Sequence, residues 1–427
     1  MLYPAIEKSR SLLATVKNYG DLAAEYGKDT SEIITNIETA LGKAVQTLKN
    51  LAAEHETANE PSCYNAIVKL CPGGNTPTLG KNIPNLREKM AGAVLGRFVG
   101  CTLGAPVEMW SLEEMEQAAK FGGIDFPPTD YWPVVGRPWQ KRYGVDENYK
   151  YSRDGMDGVP VDDDITYTIL GLLIIERYGF DFTVEDVGQI WLDILPYACT
   201  AEEVALDNLK KGISAKEAGI IDNPFLQWIG ADIRADGFGY AAAGDPQKAA
   251  KMGYVDAYLS HRRNGIYGEM FFAAAIAAAF TATCPIEPIR IALKEIPTTC
   301  ALYADVEWAL DVGPTLKDFR HAREMVDERF TGMSQVHTNN NACLTIFGLF
   351  TGKGDFTKTI ADVIAMGLDN DCTGATVGSI IGAIVGEKGI PAHWTKNFNN
   401  KVRTYLTGYE ELAIDDVIDR FVKLATT

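Results

Sequence analysis

Two groups of acidic residues are the part of this sequence best suited to chemistry. The first is a run of three aspartates at residues 162–164, and the second is the Asp-Asn-Asp of residues 369–371. Each group comes immediately before a segment with the composition of an apolar helix. Adjacent carboxylates repel one another unless a cation shares their site. If the fold brings both groups together, four or five carboxylates face one another, which suits one or two oxygen-preferring divalent ions.

Each acidic group also has a simpler interpretation. Aspartate is favoured at the N-cap and in the first turn of a helix, where it meets the positive end of the helix dipole, but three in a row exceed what capping needs. The second group begins like an EF-hand loop. However, Ile380 occupies the twelfth position counted from Asp369, where such a loop carries a bidentate glutamate. A metal site of another kind is therefore favoured.

Glycine recurs at every fourth position in two segments next to these acids. Residues four apart share one helix face, and each glycine costs a helix up to about 1 kcal/mol relative to alanine. The two rows therefore predict that another helix backbone approaches closely. The first row ends before Pro106, and Glu108 lies just beyond the predicted helix end, where a site role and an ordinary solvated acid are equally compatible with the sequence. The rows are Gly92, Gly96, Gly100, Gly104 and Gly374, Gly378, Gly382, Gly386.

Three further segments carry polar groups that could contact a substrate. Arg234 lies between acids at positions 232 and 236, although an ion network on a helix surface explains that pattern slightly better. Residues 260–269 combine bases, an amide, a phenol and an acid, and residues 337–341 are similar in kind. A single histidine is more often a structural group than a catalyst, and neither segment has H-x-x-x-H spacing. The candidate substrate contacts are Arg234, His261, Tyr267, Glu269 and Asn339.

Composition limits the classes of partner. The chain has 427 residues, of which 46% are hydrophobic and 23% charged, as is usual for a soluble globular protein. Its formal net charge of −17 argues against nucleic acid or an anionic membrane as a partner, because both require a positive surface. A phosphate-bearing small molecule stays compatible with this charge, since one local pair of arginines could override the global field.

The start of the chain lacks the apolar run of a signal peptide. The most apolar stretch, residues 375–386, is about twelve residues long, whereas a membrane span needs roughly 20. The eight cysteines show no CxxC pairing, and the close pair Cys63 and Cys71 has no second pair to complete a zinc site. We therefore expect a cytoplasmic protein with reduced thiols. The sequence does not indicate an oligomeric state.

The chain is predicted to be all-α in two parts. Residues 1–85 form an N-terminal helical extension, which includes apolar residues at helical spacing over 31–53 and a Pro/Gly/Asn-rich linker over 61–84. Residues 86–427 form a multi-helical catalytic body with no phosphate-binding loop motif. An aromatic, proline-punctuated loop over 126–158 interrupts this body. Its rings either pack on one another or stack on a planar ligand.

These segments resemble the ADP-ribosylglycohydrolase family. Three motifs of that family occur here in order. A G-x-x-x-G-D-A-x-G-A-P-x-E helix corresponds to residues 96–108, a Thr/Ser-Asp-Asp motif to residues 162–164, and a G-G-D-T-D-T/S motif to residues 367–372. The resemblance spans about residues 86–386. It implies an all-α body with a cleft that holds two Mg²⁺ ions, or Mn²⁺ in their place.

The resemblance also implies roles for individual residues. Glu108 matches an acid that lies over the metals in some members, and Asp163 and Asp164 are expected to act in catalysis as well as in binding. Three positions depart from the motifs: Asp162 and Cys372 stand where the family has hydroxyl ligands, and Cys101 replaces a helical aspartate. Sulfur is a poor ligand for Mg²⁺. The predicted ligand set is Asp162, Asp163, Asp164, Asp369, Asp371 and Cys372.

The function implied is metal-dependent hydrolysis of an N- or O-ribosyl bond. The expected substrate is an ADP-ribosyl small molecule or an ADP-ribosylated protein. One alternative is a ribosyl hydrolase for a smaller metabolite or nucleoside, since the same metal site would serve it. Another is a member of the family that binds ligand without turnover. The retained acids argue against the second alternative, because a protein without catalysis has no need to hold repelling carboxylates together.

Overall fold

The computed structural model describes residues 7–52, 57–72, 83–133 and 147–427. Within these residues the chain forms nineteen α-helices, short 3₁₀ turns and one small antiparallel sheet. The all-α prediction is confirmed. The helices are α1 Glu7–Glu25, α2 Ser31–Leu51, α3 Tyr64–Leu70, α4 Leu86–Gly104, α5 Leu112–Gly122, α6 Asp163–Tyr178, α7 Val184–Ile194, α8 Thr200–Lys210, α9 Ala215–Ala218, α10 Ala235–Ala241, α11 Pro246–Ala257, α12 Asn264–Ala279, α13 Glu287–Ala292, α14 Ala301–Val312, α15 Phe319–Arg329, α16 Thr338–Gly352, α17 Phe356–Met366, α18 Asn370–Val385 and α19 Ile414–Ala425.

The sheet consists of β1 and β2 near the end of the chain, with Val402 paired to Leu412. β1 spans Lys401–Arg403 and β2 spans Glu411–Ala413. The 3₁₀ turns are Ala105–Val107, Glu147–Tyr151, Ile229–Arg234, Leu293–Glu295, Gly313–Thr315 and Glu387–Gly389.

Helices α4 and α18 lie against each other along the two glycine rows, as the sequence predicts. A methyl group added at Gly92, Gly96 or Gly100 would overlap the backbone of Gly382, Gly378 or Gly374 respectively. At the far end of this glycine seam, a methyl group on Gly104 would overlap the backbone of Asp371. Only glycine permits this approach. The seam therefore sets the position of the first turn of α18, which carries the second acidic group.

The core surrounds this pair of helices. Every residue of α12 is buried, which explains why its alanine-rich sequence has no polar face. The apolar stretch Leu86–Val107 is the one part of the described chain that is long and apolar enough to cross a membrane, and 94% of its apolar window is buried inside the protein. All eight cysteines carry free thiols.

The N-terminal extension is helical, and α2 has no buried residue. The expectation of a linker over 61–84 is wrong for the part that the structure describes, because residues 57–72 pack on the body. Helix α3 lies in this stretch, and Glu60 and Ser62 are buried. The Glu60 carboxylate pairs with Arg263 and accepts hydrogen bonds from the Asn264 side chain and the Ala301 backbone. Residues 73–82 lie outside the described residues.

Candidate metal centre

The fold brings the two acidic groups to one cavity of about 470 Å³. The first group enters it from the start of α6 and the second from the start of α18. No lysine or arginine occurs among the described residues that line this acidic cavity. Within the described residues, the negative charge of this cavity is therefore not balanced by a basic side chain at its surface. The acids that line it are Glu108, Asp162, Asp163, Glu202, Asp369 and Asp371.

Helix N-termini place most of these carboxylates. Asp162 is the N-cap of α6, and its side chain accepts a hydrogen bond from the backbone N–H of Asp164 at 3.0 Å. Asp369 is the N-cap of α18, but its side chain makes no capping hydrogen bond. The positive ends of both helix dipoles meet the same cluster of negative charge. Helix capping therefore accounts for the position of the Asp162 side chain. The Asp369 carboxylate has no capping role and can bind another partner.

Three sets of side chains come close enough to share an ion. Within each set, one potential ligand atom per residue lies within 4.8 Å of the others. Three carboxylate oxygens in these sets are buried and have no hydrogen-bond partner among the described residues: Oδ2 of Asp164, Oδ1 of Asp369 and Oδ1 of Asp371. A buried unpaired carboxylate oxygen is costly unless a cation contacts it. The sets are Cys101–Asp162–Asp164, Asp164–Asp371–Cys372 and Glu108–Asp369–Asp371.

The electrostatics of the cavity favour a cation. Burial, followed by the charges of Glu108 and Asp369, raises the pKa of Asp371 well above its usual range. Burial raises the pKa of Asp164 to about 8, although Arg97 opposes the shift. Each carboxylate therefore resists ionisation next to the others, and a bound divalent ion would remove that resistance. Oxygen donors of this kind fit Mg²⁺ or Mn²⁺.

The thiol of Cys372 fits such an ion less well. Burial and the surrounding aspartates raise the pKa of this thiol well above its usual value, so without an ion the thiol stays protonated. A soft sulfur is also a poor match for Mg²⁺. Cys372 lies with Asp164 and Asp371 in one of the three sets, and the carboxylates are the better ligands of that set for a hard ion.

Arg97 is a functional residue that the sequence analysis missed. Its side chain is fully buried and donates to an oxygen of Asp164 at 2.9 Å and to Asp236 at 2.6 Å. Further hydrogen bonds to Thr168 and to the Ile233 carbonyl fix the guanidinium. Arg97 thereby holds one oxygen of Asp164 and leaves the other unpaired. The signal available for it was that Arg97 is the single charged residue in the apolar, glycine-rich stretch 90–104 of α4.

Comparisons with known proteins agree with this architecture. The chain is 25% identical over 354 residues to an uncharacterized protein of Archaeoglobus fulgidus, a match that covers 79% of this chain and all of the relative. It superimposes with a TM-score of 0.52 and 18% identity on a solved structure described as an ADP-ribosylglycohydrolase-related protein complex, covering 80% of this chain and 97% of that one. The family model for ADP-ribosylglycohydrolase matches residues 82–425.

The chain belongs to the ADP-ribosylglycohydrolase family. Membership indicates glycohydrolase chemistry on ADP-ribosyl substrates, and the acidic groups provide candidate metal-binding positions in this member of the family. The structural likeness, at 18% identity, supports the fold.

All five predicted substrate contacts are buried in this ADP-ribosylglycohydrolase family member, and none of the five is among the residues that line the acidic cavity. Arg234 is fixed by Asp256, Glu202 and Glu269, at 2.5, 2.8 and 3.4 Å. This buried ion network replaces the helix-surface network that the sequence favoured. Glu202 reaches the cavity wall, so Arg234 positions an acid of the wall from behind it.

His261 and Tyr267 have structural partners as well. The Nδ1 of His261 is 2.8 Å from the Ser260 hydroxyl, and burial lowers the pKa of the imidazole well below its usual value. The Tyr267 hydroxyl donates to the carbonyl of Pro61 in the N-terminal segment. Asn339 lines a different cavity, where it donates to Asp305 at 2.7 Å.

The aromatic loop packs largely on the protein itself. Tyr131 and Trp132 are buried, and they donate to the carbonyls of Trp394 and Leu103. Of the rings expected near a ligand, Tyr151 lines the acidic cavity, whereas residues 134–146, including Trp139 and Tyr143, lie outside the described residues.

Other aromatic residues of the cavity were not found from the sequence. Tyr197 and Tyr405 stack with ring centroids 4.3 Å apart, and Tyr197 is 53% exposed. Tyr167 and Trp228 complete the aromatic part of the lining. They are far apart along the chain and carry no motif, so only the fold brings them together.

Proposed function

We propose that this protein hydrolyses an N- or O-ribosyl bond of an ADP-ribosylated substrate at a centre of two Mg²⁺ ions. The observation that carries the proposal is the convergence of two separate aspartate groups, with unpaired buried oxygens, on one cavity where no described residue supplies a balancing positive charge. Membership of the ADP-ribosylglycohydrolase family supplies the class of substrate.

The ions would be held by Asp162, Asp163, Asp164, Asp369 and Asp371. When bound, such ions act as Lewis acids toward sugar oxygens and lower the pKa of a coordinated water. The chain itself fixes the geometry of these ligands: Arg97 holds Asp164, and the glycine seam fixes the backbone of Asp371. Asp163, which lines the cavity, is a candidate base for the proton of the attacking water.

Glu108 is the candidate for proton transfer at the leaving atom. It follows the 3₁₀ turn at the end of α4, so its backbone position depends on the same seam. Its side chain reaches solvent, yet loss of bulk water around the carboxyl, together with Asp369 and Asp163, raises its pKa to about 8. Without bound ions the carboxyl therefore keeps its proton near neutral pH, and its access to solvent suits it to exchange a proton with a departing nitrogen or oxygen.

The aromatic residues of the cavity give the substrate an apolar surface. The exposed ring of Tyr197, backed by Tyr405, presents a face on which a planar base could stack. Trp228 provides a second ring within the same lining. A ligand with a sugar at the carboxylates and an adenine at these rings matches an ADP-ribosyl group better than a ribose alone.

A substrate panel tests the proposal. ADP-ribosyl-arginine, ADP-ribosyl-serine, ADP-ribose-1″-phosphate and simple ribosides would each be incubated with Mg²⁺ or with EDTA. The inactivated variant is Asp369→Asn, and its matched control is Asp362→Asn, which alters an equally buried aspartate that is paired with Lys358 away from the cavity.

The expected result is Mg²⁺-dependent release from at least one ADP-ribosyl substrate, lost in Asp369→Asn and retained in Asp362→Asn. Activity on a simple riboside alone would replace the proposal with the small-metabolite alternative. Metal binding without turnover of any substrate would favour a member of the family that binds ligand only.

A further inference from the structure

A second cavity of about 440 Å³ lies next to the acidic cavity. The wall between the two is formed by two short segments that pair through the Trp228–His337 bridge. Trp228 and Val336 line the acidic cavity, whereas Gln227 and His337 line the second one. Neighbouring residues on both segments therefore face different cavities.

The acids of the second cavity are already paired. Glu60 accepts from the Arg263 Nε at 2.7 Å, the Asn264 amide at 3.1 Å and the Ala301 backbone at 2.8 Å. Asp305 accepts from Nε and Nη2 of Arg329 at 2.9 and 2.6 Å, and from Asn339 at 2.7 Å. These carboxylates have little capacity left to receive a cation or a donor from a ligand.

Donors remain available in the same lining. Each arginine uses its Nε and Nη2 edge on an acid, and no partner in the described residues takes up the Nη1 of Arg263 or of Arg329. The guanidinium of Arg329 also lies 4.5 Å from the ring centroid of Trp308, which restricts its movement. The two Nη1 groups are therefore held in place with free hydrogens.

His337 adds a third donor. Its Nδ1 accepts from the backbone N–H of Asn339 at 3.2 Å, so the ring proton of the neutral imidazole is on Nε2. Burial lowers the pKa of His337 to about 4, which keeps the ring neutral at physiological pH. The Oδ1 of Asn339, which is 2% exposed, is a buried acceptor without a partner in the same lining.

We propose that this second cavity binds a small oxyanion, a phosphate or a carboxylate group, between Arg263 and Arg329. Guanidinium Nη groups and an imidazole N–H are suited to several oxygens of one anion. Asn339 can accept from a hydroxyl of the same ligand. Glu60 and Asp305 balance the formal charge of the two arginines, so this cavity is neutral within a protein of net charge −17, and its free N–H donors outnumber its free acceptors. The inference does not require a metal in the acidic cavity.

Binding of defined anions to the full chain in EDTA tests this site. Inorganic phosphate, sulfate and succinate would be titrated by calorimetry against the wild-type protein and against Arg263→Gln, Arg329→Gln and Arg329→Lys. The last variant keeps a charge opposite Asp305 while it removes the free Nη1, so a loss of binding there is separable from unfolding. The matched control is Arg420→Gln, which alters a partly buried arginine paired with Glu176 on another part of the surface.

The expected result is saturable binding of at least one anion, weakened tenfold or more by each change at Arg263 or Arg329 and unchanged in Arg420→Gln. Circular dichroism would establish that each variant is folded. Binding of phosphate and sulfate alone assigns the site to phosphate-type ligands, and binding of succinate alone assigns it to carboxylates. Absence of saturable binding, or equal weakening in Arg420→Gln, would overturn the proposal.

Discussion

Glu108 and Asp369 are held close together at the acidic cavity, but their surroundings give them different tasks. Glu108 follows the end of α4 and its side chain reaches solvent, whereas Asp369 is 4% exposed and has one oxygen without a partner. A group that exchanges protons with a substrate needs access to it, and a metal ligand needs a fixed lone pair. The two residues therefore give separable predictions.

We expect Glu108→Gln to lower kcat by about 10²- to 10⁴-fold, because the amide cannot transfer the proton. Binding of Mg²⁺, measured by calorimetry, should stay within about threefold of the wild type, since the aspartates remain. A loss of metal affinity as large as the loss of kcat would show that Glu108 is a ligand and would remove its assignment to proton transfer.

We expect Asp369→Asn to stabilise the metal-free protein at pH 8 while it abolishes stabilisation by Mg²⁺. The substitution removes one charge from a cluster of repelling carboxylates, so the melting temperature in EDTA should rise by at least about 2 °C. Asp362→Asn serves as the control. Its melting temperature in EDTA should not rise, because Asp362 is paired with Lys358. A fall in the melting temperature of Asp369→Asn in EDTA would contradict the repulsion.

At the scale of elements, the pair of helices α4 and α18 positions the site. Their glycine rows were readable in the sequence because a four-residue repeat of the residue least suited to a helix needs a packing reason. The acidic groups were readable for a similar reason, since both precede apolar helices. Arg234 and His261 illustrate the limit: their residue types suit a substrate, but the sequence does not reveal that the fold buries them among Glu202, Asp256 and Glu269.

Gly378→Ala tests the seam. The added methyl group would overlap the backbone carbonyl of Gly96, and backbone cannot move aside as a side chain can. We expect the free energy of unfolding, measured with urea, to fall by about 3 kcal/mol or more. Gly42→Ala is the matched control on the exposed helix α2, where the added methyl group meets no described atom within 4 Å apart from the adjoining backbone of its own helix. That change should be neutral or stabilise by up to about 1 kcal/mol.

At the scale of the whole molecule, the acidic cluster makes the stability of the metal-free protein depend on pH. The carboxyl pKa values of Asp164 and Glu108 rise to about 8 in the folded state, against about 4 when unfolded. Between these values the folded state binds more protons than the unfolded state, so the free energy of unfolding falls as the pH rises. Below about pH 4 both states are protonated and the penalty disappears.

We therefore expect the melting temperature gained on adding Mg²⁺ to be larger at pH 8 than at pH 5, because the ion relieves a repulsion that exists only when the carboxylates are ionised. Calorimetric scans with Mg²⁺ and with EDTA at both pH values would measure this gain in melting temperature. An Asp369→Asn variant scanned in parallel corrects for the general effect of net charge. A gain in melting temperature of equal size at both pH values would contradict the coupling between ionisation of the carboxylates and stabilisation by Mg²⁺.

The two parts of the N-terminal region should differ in their importance. Helix α2 has no buried residue and touches the body through the exposed Lys49–Asp222 pair. By contrast, Glu60 and Ser62, which follow α2 in the chain, are buried against the body. Deletion of residues 1–52 should change the free energy of unfolding of the body by less than about 1 kcal/mol. Extending the deletion to residue 72 should destabilise the protein by several kcal/mol, since it leaves Arg263 unpaired.

The glycine seam has a consequence for the choice of ion. Because the backbones of α4 and α18 are in direct contact, the first turn of α18, which carries Asp371, has little freedom to move away from α4. A larger cation such as Ca²⁺ needs oxygen ligands at 2.3–2.6 Å and a flexible shell of 6–8 donors, whereas Mg²⁺ needs them at about 2.0–2.1 Å in a regular octahedron. We therefore expect this contact between main chains to resist the outward shift of Asp371 that a larger ion would require, which favours Mg²⁺ over Ca²⁺ among these carboxylates.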